Sequence, residues 1–146
     1  MPEIVVLNGP NLNMLGKREP DIYGFRTLDQ INRELTEAAK PLGLSLSFFQ
    51  SNHEGALVDE IHRMCATPPG GVIINPGGLT HTSVVLRDAL AMLNCPKVEV
   101  HLSNIYKRES FRHTSLLSDM VTGQITGFGH FGYHMALLAL HQHLSV

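Results

Sequence analysis

Residues 3–24, EIVVLNGPNLNMLGKREPDIYG, place a short apolar run directly before a long polar loop. The four apolar residues 4–7 are typical of a strand that is buried on both faces, as strands are in a parallel sheet. After Asn8 the chain is rich in Gly, Pro, Asn and charged residues as far as Gly24. This stretch therefore predicts a central strand whose carboxyl end carries a functional loop.

The rest of the chain alternates between strand and helix patterns. Strands are predicted at 3–8, 44–50, 71–75, 97–101 and 121–126, and helices at 27–40, 54–66, 81–93 and 129–144. Thr27 and Gln30 have the spacing of a capping box, and Ser51 and Glu54 repeat it before the next helix. This alternation predicts an α/β fold with a flavodoxin-like, doubly wound, five-stranded parallel sheet and helices on both faces.

The composition fits one domain and argues against nucleic-acid and membrane proteins. A chain of 146 residues, 43% of them hydrophobic, can bury its own core. The net charge is −2 and the basic residues are scattered, which argues against nucleic-acid binding. Because the N-terminal apolar run is too short for a signal peptide or a membrane span, we expect a cytoplasmic protein. Cys65 and Cys95 are predicted to be free thiols in a reducing compartment.

Polar residues follow the carboxyl ends of four predicted strands, where ligands bind in sheets of this kind. The strand at 97–101 ends with Glu99 and His101 on one face. A buried carboxylate needs a donor, so we expect the two side chains to pair. A partnered imidazole can transfer protons near neutral pH, although an ordinary ion pair at a strand end is the alternative.

Arg18 and Tyr23 lie in the first loop, between Gly16 and Gly24. Glycines at both ends suit a lid that closes over a ligand. Tyrosine has a pKa of about 10, and a neighbouring guanidinium lowers that pKa by favouring the phenolate. Tyr23 is therefore a candidate base, with a solvated loop as the alternative. Asn11 could hold a water molecule or a ligand oxygen.

Two further candidates lie along the predicted helix at 81–93. His81 would stand at its start, where the helix dipole disfavours a charged imidazole, and could hydrogen-bond a substrate hydroxyl. Asp88 would lie about 10 Å further along the axis. One small ligand could hardly contact both, so Asp88 is either structural or serves a neighbouring subunit's site.

Two motifs are not interpreted as sites. Residues 127–132, GFGHFG, fit GxGxxG, but too little chain follows to supply a second strand with an acidic ribose ligand. We interpret these glycines as a tight turn. Four histidines lie within this motif or after it, but no suitable Glu, Cys or Asp accompanies them. Surface or interface positions are therefore favoured over a metal site for His130, His134, His141 and His143.

Six motifs resemble those of the type II 3-dehydroquinate dehydratases, in the family's order and over nearly the whole chain. They are NGPNLNMLGKREPDIYG, QSNHEG, INPGGLTHTS, RDAL, EVHLSN and FRH. The resemblance implies a flavodoxin-like fold and the reversible dehydration of 3-dehydroquinate to 3-dehydroshikimate without a cofactor or metal. It also implies a role in the shikimate pathway or in quinate breakdown, and a homo-oligomer, commonly a dodecamer built from trimers. Gly78 and Leu79 depart from the family pattern, where an alanine and an aromatic residue are expected.

The resemblance assigns roles to matching positions. Tyr23 is similar to the base that removes the C2 proton, and Arg18 to the lid residue that activates it. Asn11 resembles the residue that holds a water against the enolate oxygen. His101 resembles the general acid for the C1 hydroxyl, tuned by Glu99. The implied substrate contacts are Asn75, His81, Arg112, the backbone amides of Leu102 and Ser103, and Asp88 from an adjacent subunit.

This chemistry is reasonable for these residue types. Elimination of water β to a ketone needs a base for the C–H proton and an acid for the leaving oxygen. A base (Tyr23) and an acid (His101) on opposite walls of the site would suit an anti elimination. The lysines of the chain are Lys17, Lys40, Lys97 and Lys107. None is predicted to lie in the interior of a continuous apolar strand, so the lysine-imine route of type I enzymes is disfavoured.

A non-catalytic, flavodoxin-like small-molecule binding module is the alternative. A phosphoacceptor receiver would need acidic residues after the first strand, and a flavin binder would need a Ser/Thr-rich phosphate loop. The chain instead has Asn-Gly-Pro-Asn at residues 8–11.

Overall fold

The computed structural model describes residues 1–145. The strands are β1 (Glu3–Asn8), β2 (Ser45–Gln50), β3 (Gly71–Asn75), β4 (Lys97–His101) and β5 (Gly123–Thr126). The α-helices are α1 (Pro20–Tyr23), α2 (Leu28–Ala39), α3 (Glu54–Ala66), α4 (Val84–Ala91) and α5 (Phe131–Leu144). Within the described residues, no helix is long and apolar enough to cross a bilayer.

All four strand pairings are parallel, and the sheet order is β2-β1-β3-β4-β5. This is the predicted flavodoxin-like order, with the switch point between β1 and β3. Successive residues of β1 face opposite sides of the sheet. Val6 packs in the core cluster that includes residues of α2 and α5, whereas Val5 packs in the cluster that includes residues of α3 and α4. Both faces are covered, which explains the continuous apolar run.

The capping box at Thr27 and Gln30 is confirmed. The Gln30 amide donates to Thr27 Oγ1, and the Thr27 amide donates to Gln30 Oε1. The prediction of a second capping box, at Ser51 and Glu54, is wrong. Ser51 Oγ accepts from the His53 amide, and the Glu54 carboxylate turns away to accept from Ser83 Oγ on another segment. This tertiary partner replaces the local one.

The helix predicted at 81–93 begins only at Val84. Residues Gly77–His81 form a 3-10 helix, and Ser83 is the N-cap because its Oγ accepts from the Leu86 amide. The prediction that His81 starts this helix is therefore wrong, and the helix-dipole argument does not apply to its imidazole. β5 begins at Gly123 rather than at 121.

A close backbone approach joins the loops that follow β1 and β3. The Gly9 amide donates to the Asn75 carbonyl over 2.8 Å. A Cβ atom added at Gly9 would lie 2.4 Å from the Pro76 carbonyl oxygen. Only a glycine lets the two loops meet at this separation, and their contact brings Asn11 and Asn75 to the same end of the sheet.

We expect Gly9→Ala to destabilise the fold by about 1–3 kcal/mol, because the added methyl group would push two backbone segments apart. Gly55→Ala is the matched control: Gly55 is exposed in α3 and a Cβ there meets no atom within 4 Å. This control should stabilise the helix by up to about 1 kcal/mol. Urea unfolding midpoints check both, and equal midpoints would contradict the close-approach argument.

Candidate active site

A cavity of about 100 Å³ opens at the carboxyl ends of β1, β3 and β4, and we call it the site cavity. Loops after three different strands supply its walls, as the switch-point rule predicts. Seven predicted site residues line it: Asn11, Arg18, Tyr23, Asn75, His101, Leu102 and Ser103. Gly78 also lines it, and a Cβ added there would meet no atom within 4 Å.

Four predicted site residues lie outside this lining. Glu99 lies behind His101, to which it is hydrogen-bonded. His81 donates from Nδ1 to the Thr114 carbonyl over 2.8 Å, which leaves Nε2 as its acceptor nitrogen. Asp88 is exposed on α4. Arg112 is ion-paired with Glu109, and this hydrogen bond is the main cause of a lowered pKa of the Glu109 carboxyl.

Two guanidinium groups surround the Tyr23 side chain. Arg108 Nη1 donates to Tyr23 Oη over 2.7 Å and to Ser103 Oγ over 3.2 Å. The Arg18 guanidinium carbon lies 4.7 Å from the centroid of the tyrosine ring. Both guanidinium groups thus place positive charge against the tyrosine side chain. The arginine–tyrosine proximity predicted within the first loop is present, and a second arginine makes the direct hydrogen bond.

Sequence reasoning missed Arg108. It is separated from Tyr23 by 85 positions, and no local spacing indicates that the two side chains meet. A weak signal existed, because Arg108 shares with Ser103 the segment that follows β4. Its place at the carboxyl end of that strand could have marked it as a candidate.

The loop that carries Arg18 and Tyr23 has a defined backbone. Pro20 opens the short helix α1, and the Tyr23 amide donates to the Glu19 carbonyl over 3.0 Å. Gly16 and Gly24 have φ angles of 88° and 84°, which favour glycine. The two glycines predicted to flank the loop therefore lie where the backbone takes up conformations with positive φ.

Asn11 also has a left-handed backbone, with φ of 73°. Its amide donates to Asn52 Oδ1 over 2.9 Å, and Gln50 Nε2 donates both to that oxygen and to the Gly9 carbonyl. The end of β2 thus holds the loop after β1. Gln50 and Asn52 were not assigned roles from the sequence, although their motif was recognised at a strand end.

The Glu99 carboxylate is completely buried and makes the predicted pair with His101. Its Oε2 accepts three hydrogen bonds: from His101 Nε2 at 2.5 Å, from Ser115 Oγ at 2.8 Å and from Gln124 Nε2 at 3.0 Å. Three donors on one oxygen fit an ionised carboxylate. Nδ1 of His101 makes no hydrogen bond within residues 1–145, which leaves it as the ring nitrogen for a ligand.

One lysine is buried, but at the opposite end of the sheet. Lys97 begins β4, and its Nζ donates to the carbonyls of Leu93 and Cys95. His101 lies four positions further along β4, or about 13 Å along the strand. Lys97 is therefore buried at the start of a strand rather than in its interior, and no lysine lines the site cavity.

Two other features bear on reactive groups. Cys65 and Cys95 are free thiols, as predicted, and burial raises the pKa of the Cys95 thiol. Among residues 1–145, no three His, Cys, Asp or Glu side chains lie together in a way that could hold a metal ion. A larger cavity of about 450 Å³ beside α2 and β2 is lined by neither tyrosine nor histidine, so it lacks an acid–base pair of this kind.

The family model described as dehydroquinase class II matches residues 2–141. The chain belongs to the class II dehydroquinase family. It is 60% identical to a 3-dehydroquinate dehydratase of Bordetella avium over 92% of this chain and 93% of the relative. It is 54% identical to a 3-dehydroquinate dehydratase of Acaryochloris marina, over 99% of this chain and 96% of the relative.

Solved structures agree with this membership. A type II dehydroquinase from Propionibacterium acnes superposes with a TM-score of 0.94 at 43% identity, covering 97% of each chain. The predicted flavodoxin-like fold is thereby confirmed, and the dehydroquinase membership identifies the protein as a hydro-lyase. It favours an enzyme over the alternative of a non-catalytic binding module.

We expect Gln124→Leu to destabilise the folded dehydroquinase by about 1.5–3 kcal/mol, because the buried Glu99 carboxylate would lose a donor. Gln142→Leu is the matched control, since Gln142 is exposed on α5. Urea unfolding at constant pH compares the two variants. If both had the same midpoint, Gln124 would not be supporting the carboxylate.

Proposed function

We propose that this dehydroquinase catalyses the reversible anti dehydration of 3-dehydroquinate to 3-dehydroshikimate through an enolate, with Tyr23 as base and His101 as general acid. One observation carries the proposal: a tyrosine whose hydroxyl is held by Arg108 and a histidine backed by a buried carboxylate line the same small cavity. The names of the similar proteins support the choice of substrate.

The base acts on the carbon next to the ketone. The Tyr23 phenolate takes the C2 proton, and the electron pair of the broken C–H bond becomes the enolate. Arg108 and Arg18 stabilise the phenolate by their charge before the transfer. Asn11, held by Asn52, positions a water molecule against the developing enolate oxygen.

The acid acts on the leaving group. As the enolate collapses, the C1–O bond breaks, the C1–C2 double bond forms, and His101 gives a proton to the departing hydroxyl so that water leaves. Glu99 binds Nε2 of the imidazole, so Nδ1 is the nitrogen we assign to the substrate. Tyr23 has then gained one proton and His101 has lost one, and exchange with solvent restores both groups.

The substrate carboxylate and hydroxyls bind at the walls of the site cavity. Asn75 and the backbone amides of Leu102 and Ser103 are the donors we assign to it within the lining. His81 and Arg112 lie outside the lining and are proposed as contacts at its margin. About 100 Å³ is well below the roughly 300 Å³ typical of ligand pockets, so residues 16–24 act as a lid that opens to admit substrate.

We also propose that the protein is a homo-oligomer, with a dodecamer built from trimers as the assembly. Val84, Val85 and Met92 expose more than half of their surfaces on and just after α4, near the exposed Asp88. An apolar outer face on a short helix favours burial against another subunit. Asp88 would then enter a neighbour's site. Sedimentation of the purified protein measures the assembly, and a monomer at micromolar concentration would contradict it.

Location and pathway follow from the same proposal. Two free thiols favour the reducing environment of the cytoplasm. The reaction serves either the shikimate pathway or quinate breakdown, since the same dehydration by the same residues occurs in both.

A continuous ultraviolet assay for the conjugated enone product tests the reaction. Purified protein is mixed with 3-dehydroquinate, with and without earlier borohydride treatment in the presence of substrate. Rising enone absorbance that survives borohydride would support both the dehydratase and a route without a lysine imine. Loss of activity after borohydride would point to an imine, and no absorbance change from the folded wild type would refute the proposed reaction.

Tyr23→Phe should nearly abolish turnover and leave the fold intact, because it removes only the hydroxyl that becomes the base. Tyr106→Phe is the control, since Tyr106 is exposed and does not line the site cavity. The enone assay gives kcat, and circular dichroism checks folding. Activity retained in Tyr23→Phe would remove this residue as the base.

Arg108→Lys should lower kcat by roughly tenfold to a hundredfold, because lysine keeps the charge but loses the hydrogen bond that the guanidinium makes to Tyr23. Arg33→Lys on the exposed part of α2 is the matched control. The same assay compares the two. Equal rates for both variants would show that the charge of residue 108 suffices.

A further inference from the structure

A chain of buried hydrogen bonds lies behind the site cavity and joins β1, β3 and α5. Asn75 Nδ2 donates to Tyr133 Oη over 3.0 Å, and Tyr133 Oη donates to Asn8 Oδ1 over 2.5 Å. The exposed fractions of Asn8, Tyr133 and Asn75 are 1%, 0% and 3%. Only Asn75 among the three lines the cavity.

The direction of these hydrogen bonds follows from the Asn8 amide, whose oxygen faces Tyr133. The side-chain oxygen of Asn8 can only accept, so Tyr133 must use its single proton there. Toward Asn75, Tyr133 Oη can then only accept. The amide nitrogen of Asn75, rather than its oxygen, must therefore face the tyrosine.

A second contact favours the same orientation of the Asn75 amide. The Gly77 amide donates to Asn75 Oδ1 over 3.2 Å. The flip of an asparagine amide is therefore set from both sides, by a donor at its oxygen and an acceptor at its nitrogen. The Tyr133 bond is the shorter of the two and depends on a helix at the other end of the chain.

This orientation decides what Asn75 can offer a ligand. One of its two amide hydrogens is used by Tyr133, and the second remains available. Toward the site cavity, the amide group can thus donate its remaining hydrogen to a ligand oxygen. If the Asn75 amide were rotated by half a turn, its oxygen would take the place of its nitrogen. An acceptor would then face the acceptor oxygens of a hydroxylated carboxylic acid ligand, and the hydrogen bond would be lost.

Tyr133 is well suited to hold this arrangement. It is among the largest completely buried side chains of the protein, and it belongs to the core cluster that α5 shares with α2. Burial raises the pKa of its hydroxyl well above the ordinary range, with hydrogen bonding from Asn75 acting weakly in the opposite direction. The hydroxyl therefore keeps its proton at neutral pH.

We propose that Tyr133 is a positioning residue that, together with Asn8, fixes the amide flip of Asn75 and so makes Asn75 a hydrogen-bond donor to a substrate oxygen. The inference rests on the proposed function for the identity of that substrate. Tyr133 itself touches no substrate. Its effect is on binding through Asn75.

Tyr133→Phe tests the inference because it deletes the hydroxyl and keeps the ring in the core. We expect KM for 3-dehydroquinate to rise about three- to tenfold, with kcat changed less than KM, since one neutral hydrogen bond orients a binding group. Asn8→Ala should also raise KM. Without the Asn8 oxygen, the Tyr133 hydroxyl is free to donate its proton to the Asn75 oxygen and so favours the opposite orientation of that amide. Tyr106→Phe should leave both constants unchanged.

Melting temperatures separate positioning from a merely structural role. If Tyr133→Phe lowers the melting temperature and leaves KM at the wild-type value, the inference is overturned. A large fall in kcat with unchanged KM would overturn it as well.

A measurement that needs no turnover keeps the inference separate from the proposed reaction. The side-chain amide protons of Asn75, followed by NMR, should include one that exchanges slowly with water in the wild type and rapidly in Tyr133→Phe. Unchanged exchange would refute the positioning role. Wild-type protein that shows this exchange pattern but no turnover would refute the proposed reaction alone.

Discussion

The in-register parallel pairing of β1 with β3 is the constraint on which the site depends. It sets Asn8 beside Asn75 at the carboxyl end of the sheet, and the Gly9 amide extends the contact to the loops beyond. Because a Cβ at Gly9 would overlap the Pro76 carbonyl, the two loops can be this close only with a glycine there. The loop after β1 begins at this junction, and the chain of buried hydrogen bonds from Tyr133 ends there at Asn8 and Asn75.

The two proposed proton-transfer groups are held in different ways. His101 is the last residue of a central strand, and its partner Glu99 is completely buried beneath it with two further donors. Tyr23 ends a helix of four residues in the lid and is tied to the rest of the protein by the side chain of Arg108. The proposed acid is thus part of the sheet, whereas the proposed base lies in a loop outside it.

The buried polar groups behind the cavity are almost all paired. Asn75 and Tyr133 satisfy each other, and Glu99 Oε2 has three donors, while Glu99 Oε1 has no partner within the described residues. In a low-dielectric interior, each such bond also restricts orientation, because the alternative leaves a polar atom unpaired. The same bonds that stabilise the sheet's carboxyl end therefore determine which atoms the cavity presents.

Much of this protein was predictable from the sequence, because its fold depends on local patterns. Continuous apolar runs mark strands covered on both faces, and the position of polar residues after those runs marks the ligand-binding edge. The Glu99–His101 pair was also predictable, since residues two apart in a strand share a face. Helix ends were less certain: Ser83 caps α4 because a 3-10 helix occupies residues 77–81, and Glu54 bonds to Ser83 instead of closing a local box.

Tertiary structure alone decided which distant side chains meet. Arg108 reaches Tyr23 across 85 positions, and Tyr133 reaches Asn75 across 58. Such contacts depend on how α5 and the lid pack against the sheet and on the rotamers that this packing allows. Sequence periodicity reports the face on which a residue lies, but not its neighbour across a layer. The sequence by itself therefore determined the sheet, the edge that carries the cavity and the pairing of His101 with Glu99, whereas packing decided which arginine hydrogen-bonds to Tyr23 and which way Asn75 points.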